Sequence, residues 1–199
     1  TIVSEILMLR RIGSLKKRAL FVLPYVSIVV EKTHYLQAIC AQTQLAVKGF
    51  YGGSSDNLRD KFDIGICTIE KANSLVNMLI EDELLTEALC CVVVDELHLV
   101  GDGSRGYLLE VMLSKLMFLA PEVQILGMSA TLPNIQDIKR WLGAELFVES
   151  DFRPVPLREY FLVGSDLHNA DGSFCRVLGS AAAAPSGDPL VDAAWEVTQ

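Results

Sequence analysis

Chemistry is most legible at Asp95-Glu96. Two adjacent carboxylates follow the apolar run Cys90-Cys91-Val92-Val93-Val94, and His98 stands three residues beyond Asp95. A rigid strand end that fixes two carboxylates side by side suits nucleotide hydrolysis. One carboxylate can hold Mg²⁺, usually through water, while the other orients or deprotonates the attacking water. The bland alternative is an acidic pair capping the next helix or loop. The apolar strand and His98 weigh against it. A second stretch, Gly127-Met128-Ser129-Ala130-Thr131-Leu132-Pro133-Asn134, follows another apolar run. Its hydroxyls can hydrogen-bond to His98 and sense a nucleotide. Taken alone it reads more readily as a helix cap and turn, with Thr131 or Asn134 as the cap.

The elements that must position these residues alternate in type. Short apolar runs predict strands over residues 19–23, 46–50, 64–67, 90–94 and 123–127, with further strands over 146–148 and 156–163. Helical spacing predicts helices over residues 2–9, 26–39, 70–80, 108–116 and 135–142. The implied class is α/β: a mostly parallel sheet with helices on both faces, its strands uniformly apolar because both sides are buried. Ligands of such sheets bind beyond the carboxyl ends of the strands. From about residue 164 the texture changes. Residues 179–187 are low in complexity, so 164–199 read as a linker or surface insertion.

Composition narrows the classes. Of 199 residues, 51% are hydrophobic and 21% charged, which excludes a disordered chain. No apolar run approaches the ~18 uncharged residues of a membrane-spanning helix. The net charge of −8 argues weakly against a nucleic-acid binder read by bulk charge. Half of it, however, falls in residues 165–199, where Asp166, Asp171, Asp188, Asp192 and Glu196 face a single base, Arg176. The cysteines (Cys40, Cys67, Cys90, Cys91 and Cys175) form no CxxC pair and lie mostly in apolar runs. They argue against a structural zinc site and for a reducing compartment, the cytosol or nucleus. The first residues show no signal pattern, and the missing initiator Met predicts a chain cut from something longer.

Asp95-Glu96-Leu97-His98 together with Ser129-Ala130-Thr131 resembles motifs II and III of superfamily 2 helicases of the DExH type. Other stretches resemble the same family in the same order. Residues 23–32, with Pro24, Tyr25, Ser27 and Lys32, are similar to motif Ia. Gly49-Phe50-Tyr51-Gly52-Gly53 is similar to motif Ic, and Thr68-Ile69-Glu70-Lys71-Ala72-Asn73 to motif Ib. Residues 101–106 and 151–157 narrow the likeness to the branch of helicase Q and the helicase domain of DNA polymerase theta. The resemblance spans residues 1–163.

It implies a RecA-like P-loop NTPase domain, the first of two, with residues 164–199 leading toward a second RecA-like domain of the same full-length chain. It implies ATP and Mg²⁺ as cofactors. Thr1 would be the last residue of the phosphate loop and, with Asp95, would hold the metal. Glu96 would be the catalytic base. His98, Ser129, Ala130 and Thr131 would couple nucleotide state to strand grip. Pro24, Tyr25, Ser27, Lys32, Gly52, Gly53, Thr68, Glu70, Lys71 and Asn73 would face nucleic acid. Hydroxyls, helix amides and a few lysines there can hold phosphates without reading bases.

The implied partner is single-stranded or forked DNA, with 3′-to-5′ movement, a role in DNA repair or fork maintenance, and a nuclear location. By itself the chain is expected to be inactive, because the loop's lysine and the second lobe are missing. Two alternatives stay open: an RNA helicase of the same group, and a non-catalytic lobe that keeps the fold. Arg105 can brace its loop by pairing with Asp102 or Glu110, or point toward DNA; the bracing role is the one expected. Arg153, with Pro154 and Pro156, is expected to shape the exit strand. His34 and His168 are expected to be ordinary surface residues.

Overall fold

A computed structural model describes residues 1–52, 54, 58–103, 105–130, 134–145, 148, 159–164 and 166–177. It divides into two units, Thr1–Glu145 and Leu146–Gln199. In the first unit the elements run α1 (Ile2–Leu15), β1 (Arg18–Leu23), α2 (Val26–Cys40), β2 (Val47–Phe50), β3 (Ile64–Thr68), α3 (Ile69–Glu81), α4 (Leu85–Ala88) and β4 (Leu89–Val94). A 3-10 turn (Leu97–Gly101), α5 (Gly106–Leu119), β5 (Gln124–Gly127) and α6 (Ile135–Trp141) follow.

The five strands form one sheet of order β2-β3-β1-β4-β5, every pairing parallel. The three central strands carry no polar alternation, and every residue of β1, β3 and β4 except Arg18 is buried. Their side chains alternate between two cores. Leu20, Val22, Cys67, Val92 and Val94 point into a cluster completed by α3 and α5, through residues such as Leu75, Leu79, Leu109 and Leu113. Ala19, Phe21, Leu23, Ile64, Ile66 and Val93 point into a second cluster, completed by Met8 and Ile12 of α1 and by Val29 and Leu36 of α2. Fully burying a side chain of this size stabilises by about 1.5–3 kcal/mol. The α/β class with helices on both faces is therefore as expected.

A bulge interrupts β4. Arg18 pairs with Leu89 but Ala19 pairs with Cys91, so Cys90 is the extra residue. Cys90 and Cys91 consequently fall in the same cluster instead of on opposite faces. Burial pushes the Cys91 thiol up to about 12 and raises Cys67 further still. Both thiols stay protonated and act as small hydrophobes.

One local expectation fell short. Helix α1 continues six residues beyond the predicted end, because Ile12, four residues after Met8, extends the buried stripe by a turn. It stops where Lys16 turns left-handed, at φ 55°.

The second unit corrects the reading of the late chain. β6 (Tyr160–Val163), β7 (Asp166–Asn169) and β8 (Phe174–Val177) form a separate antiparallel sheet of order β6-β7-β8. Residues 160–163 thus do not extend the parallel sheet, and residues 166–177, within the stretch expected to be a linker or surface insertion, form a hairpin. Its turn uses Gly172 at φ 82° and an Asp171 carboxylate that accepts from the Ser173 amide at 2.9 Å. The Asp-Gly pair is a hairpin signal of the ordinary kind. Of the expected strand 146–148, only Val148 is described, and it belongs to no strand. Residues 178–199, with the low-complexity stretch, lie outside the described residues, as does Arg153.

Candidate functional site

Because all five strands are parallel, their carboxyl ends share one edge of the sheet. Across that edge the order is Tyr51-Gly52 after β2, Thr68 ending β3, Pro24-Tyr25 after β1, Asp95-Glu96 after β4, and Met128-Ser129 after β5. The motifs scattered through the sequence are gathered into one row.

Main-chain hydrogen bonds build the β4–β5 end. The Asp95 amide donates to the Val22 carbonyl at 3.0 Å, so β4 stays paired with β1 for one residue past its end. Met128 is clasped on both sides. Its amide donates to the Val94 carbonyl, and its carbonyl accepts from the Leu97 amide, each at 2.8 Å. Glu96, between them, is left-handed at φ 51°, ψ 46°. For a non-glycine residue this costs about 1–2 kcal/mol, and such strain concentrates at functional positions.

Asp95 Oδ1 accepts from the Glu96 amide at 3.0 Å. Glu96 Oε2 lies 3.2 Å from His98 Nδ1, without the alignment of a hydrogen bond. His98 therefore faces Glu96, not the Ser129 hydroxyl it was expected to meet. Ser129 Oγ instead donates to the Ala130 carbonyl at 2.9 Å. Thr131 lies outside the described residues.

Thr1 is the exposed residue before α1, and its side chain makes no capping bond. Ser4 ties this helix start to the β5 end: its hydroxyl bonds the Thr1 carbonyl at 2.6 Å and Met128 Sδ at 3.1 Å. Neither Ser4 nor Met128 was singled out from the sequence. Thr1 and Asp95 offer a hydroxyl and a carboxylate, hard oxygen donors suited to Mg²⁺, which keeps several waters and takes few protein ligands.

The β2-β3-β1 end is built differently. Pro24 is buried, and its carbonyl accepts from Arg105 Nη1 at 2.7 Å. Thr68 is buried and caps α3, its hydroxyl accepting from the Lys71 amide at 3.5 Å. Glu70 Oε1 takes both Nε and Nη2 of Arg105 at 2.6 Å. Partial burial works to raise the Glu70 pKa. Hydrogen bonds from its own amide, Thr68 and Arg105, with the guanidinium charge, outweigh burial and hold the carboxyl below the usual range. The expectation for Arg105 needs correction: its guanidinium pairs with neither Asp102 nor Glu110. Only its backbone amide reaches Asp102, at 3.1 Å.

Lys32 also departs from the row. Its ammonium binds Glu5 of α1 at 2.7 Å and lies over the rings of Tyr35 and Phe21. Its side chain is 17% exposed and that of Glu5 only 7%. Asn73 Oδ1 is buried without a hydrogen-bond partner among the described residues. The accessible members of the row are Tyr25, Ser27, Gly52 and Glu70, the last engaged by Arg105, with Lys71 and Asn73 half-buried. A Cβ built on Gly52 meets nothing within 4 Å, so no contact inside the chain demands glycine there. Gly53 lies outside the described residues. The links Arg105–Glu70 and Lys32–Glu5 escaped sequence reasoning because each joins residues distant in the chain, with no local spacing to mark them.

The sequence model of the DEAD/DEAH box helicase family matches residues 1–138. The chain is 44% identical to DNA polymerase theta from Mus musculus over 192 residues, covering 88% of this chain and 8% of that protein. It is 42% identical to Helicase POLQ-like from Homo sapiens over 175 residues, covering 86% of this chain and 16% of that protein. It is 35% identical to ATP-dependent DNA helicase Hel308 from Pyrobaculum calidifontis, with 81% of this chain and 22% of that protein covered. The chain thus spans a small part of the length of each.

Proposed function

Since the chain belongs to the DEAD/DEAH box helicase family, we propose that it forms the first RecA-like motor domain of an ATP-dependent DNA helicase. In this reading the motor moves 3′ to 5′ along one strand, in DNA repair or fork maintenance within the nucleus. A second RecA-like domain of the same full-length chain closes over the nucleotide. The observation that carries the reading is the single row of strand ends, with Asp95-Glu96 on β4 flanked by β1 and β5. The relatives named for DNA support DNA over RNA.

Asp95 and Thr1 hold Mg²⁺, whose chemistry is to neutralise charge on the phosphates during transfer. Glu96 orients the attacking water and takes its proton. The Met128 clasp links the loop carrying Glu96 and His98 to Ser129 and Ala130, and with Thr131 these pass the nucleotide state onward. Tyr25, Ser27, Gly52 and Lys71 offer the accessible surface for a strand backbone, with Thr68 and Pro24 fixing the loops beneath them.

In the full-length protein, Glu96→Gln is expected to lower ATP turnover by about 10²–10⁴-fold, the usual contribution of a general base, with ATP binding retained. Parallel turnover and nucleotide-binding measurements check this; normal hydrolysis by the variant refutes the assignment. Stronger stimulation of the wild type by single-stranded RNA than by DNA replaces the DNA reading with an RNA one. The 199 residues contain no Gly-Lys pair of a phosphate loop, so by themselves they are expected to turn over ATP negligibly. Robust turnover from them refutes the role given to Thr1.

A further inference from the structure

The loop between β4 and α5 leaves the candidate nucleotide site and ends on the other half of the row. It starts at Asp95-Glu96, passes through the 3-10 turn Leu97–Gly101, and closes on itself tightly. The Asp102 amide donates to the Leu99 carbonyl at 2.8 Å, and the Gly106 amide to the Asp102 carbonyl at 3.0 Å. The Asp102 carboxylate accepts the Arg105 amide at 3.1 Å. At Gly106 a Cβ would stand 2.4 Å from the Val100 oxygen and 2.5 Å from that of Leu99, so the turn admits no side chain there. A loop this constrained moves as a unit.

At its far end stands Arg105. Its planar fork reaches two different strand-end loops: Glu70 at the start of α3 after β3, through Nε and Nη2, and the Pro24 carbonyl after β1, through Nη1. These are the loops that the function proposed above assigns to nucleic acid. Three loops therefore meet at one guanidinium.

We infer that Arg105 is a positioning residue that couples strand occupancy to the nucleotide site, by latching the loop after β4 to the loops after β1 and β3. The inference rests on the proposed helicase function and extends it to a specific link between its two halves. A strand that seats against Tyr25, Ser27 and Lys71 shifts the Pro24 and Thr68–Glu70 backbones. The guanidinium carries that shift to the rigid loop and so to Asp95 and Glu96. Lysine cannot replace it, since one ammonium does not present the fixed fork that serves a carboxylate and a carbonyl together. All three bonds come from a charged donor, and the Arg105 and Glu70 side chains are 32% and 47% exposed, so the latch can open and close.

The test is ATP turnover of the full-length protein, with and without single-stranded DNA, in Arg105→Ala, Arg105→Lys and Glu70→Gln. For Arg105→Ala, unstimulated turnover is expected to stay within about twofold of wild type while stimulation by DNA falls about tenfold, a typical coupling between sites. Arg105→Lys is expected to recover less than half of the lost stimulation. Glu70→Gln keeps the shape and removes the charge, and is expected to reduce stimulation about threefold. Should Arg105→Ala not fold, the other two variants carry the test.

Wild-type stimulation in Arg105→Ala, or in both remaining variants, overturns the inference. So does an equal loss of stimulated and unstimulated turnover, which would mean that the guanidinium only props the fold. A wild-type protein that no nucleic acid stimulates overturns the proposed function itself, and the inference with it. Stimulated wild type beside an unaffected Arg105→Ala overturns the inference alone.

Discussion

The loops after β4 and β5 are held by main-chain hydrogen bonds, whereas those after β1 and β3 are held together by a side chain. On the first side Val22, Val94, Asp95, Leu97 and Met128 interlock through amides and carbonyls that salt and pH leave untouched. On the second, Pro24 and Glu70 share one partly exposed guanidinium. The difference suits the two tasks assigned to them. Hydrolysis demands carboxylates fixed to a fraction of an ångström. A strand that is gripped and released in every cycle demands a support that gives way at low cost.

Four measurements break or sharpen that contrast. The largest effect belongs to Lys32. Replacing it by Met strips the cationic partner from a Glu5 carboxylate that is 7% exposed and leaves it the Tyr35 hydroxyl at 3.3 Å, and a buried charge without its counter-charge costs about 3 kcal/mol or more. Chemical unfolding of Lys32→Met checks this. In the double variant with Glu5→Leu, most of the stability is expected to return, with DNA affinity unchanged. Affinity lost in that stable double variant would return Lys32 to the nucleic-acid face.

Next comes Gly106→Ala, which forces a methyl onto two carbonyl oxygens. A loss of about 2–3 kcal/mol, or about 4–12 °C in Tm, is expected; an unchanged Tm would show that the loop yields and cannot transmit motion.

Third, Glu96→Gly relieves the left-handed backbone at the cost of chain entropy. A net gain of about 0.5–1 kcal/mol is expected alongside lost turnover. Destabilisation instead would mean that Glu96 is not strained.

The smallest effect is a pH dependence. The Glu70 pKa is lowered in the folded state, so its contribution is present above the unfolded carboxylate pKa and disappears as pH falls through the folded one. Relative to Glu70→Gln, wild type is expected to be more stable by less than about 1 kcal/mol at neutral pH, the two curves meeting below about pH 4. Curves that stay apart in acid would show that the carboxyl charge is not what differs.

The central strands and most helices were legible in the sequence for one reason: strands buried on both faces must be continuously apolar, and β1, β3 and β4 are. Asp95-Glu96 stood out as a candidate because the pair ends such a strand and His98 follows it, whereas an acidic pair alone reads as well as a cap. What escaped was the set of ties between distant parts. Arg105 was matched to neighbours in the chain, Asp102 and Glu110, because local spacing reveals only local partners; its carboxylate partner lies 35 residues upstream. Lys32 was assigned by its place in the stretch resembling motif Ia, which gives no means of seeing Glu5 opposite it. The hairpin of β7 and β8 was passed over because its strands are four residues long and partly polar, although Asp171-Gly172 marks its turn.

The sheet also acts as a partition wall. Val92 and Val93 are neighbours in the chain, yet one contributes to the interior shared with α3 and α5 and the other to the interior shared with α1 and α2. Each chamber can then be refurnished without disturbing the other, provided its volume is kept. A designer could repack the α3–α5 side for thermal robustness while leaving alone the α1–α2 side, whose first helix leads directly from Thr1.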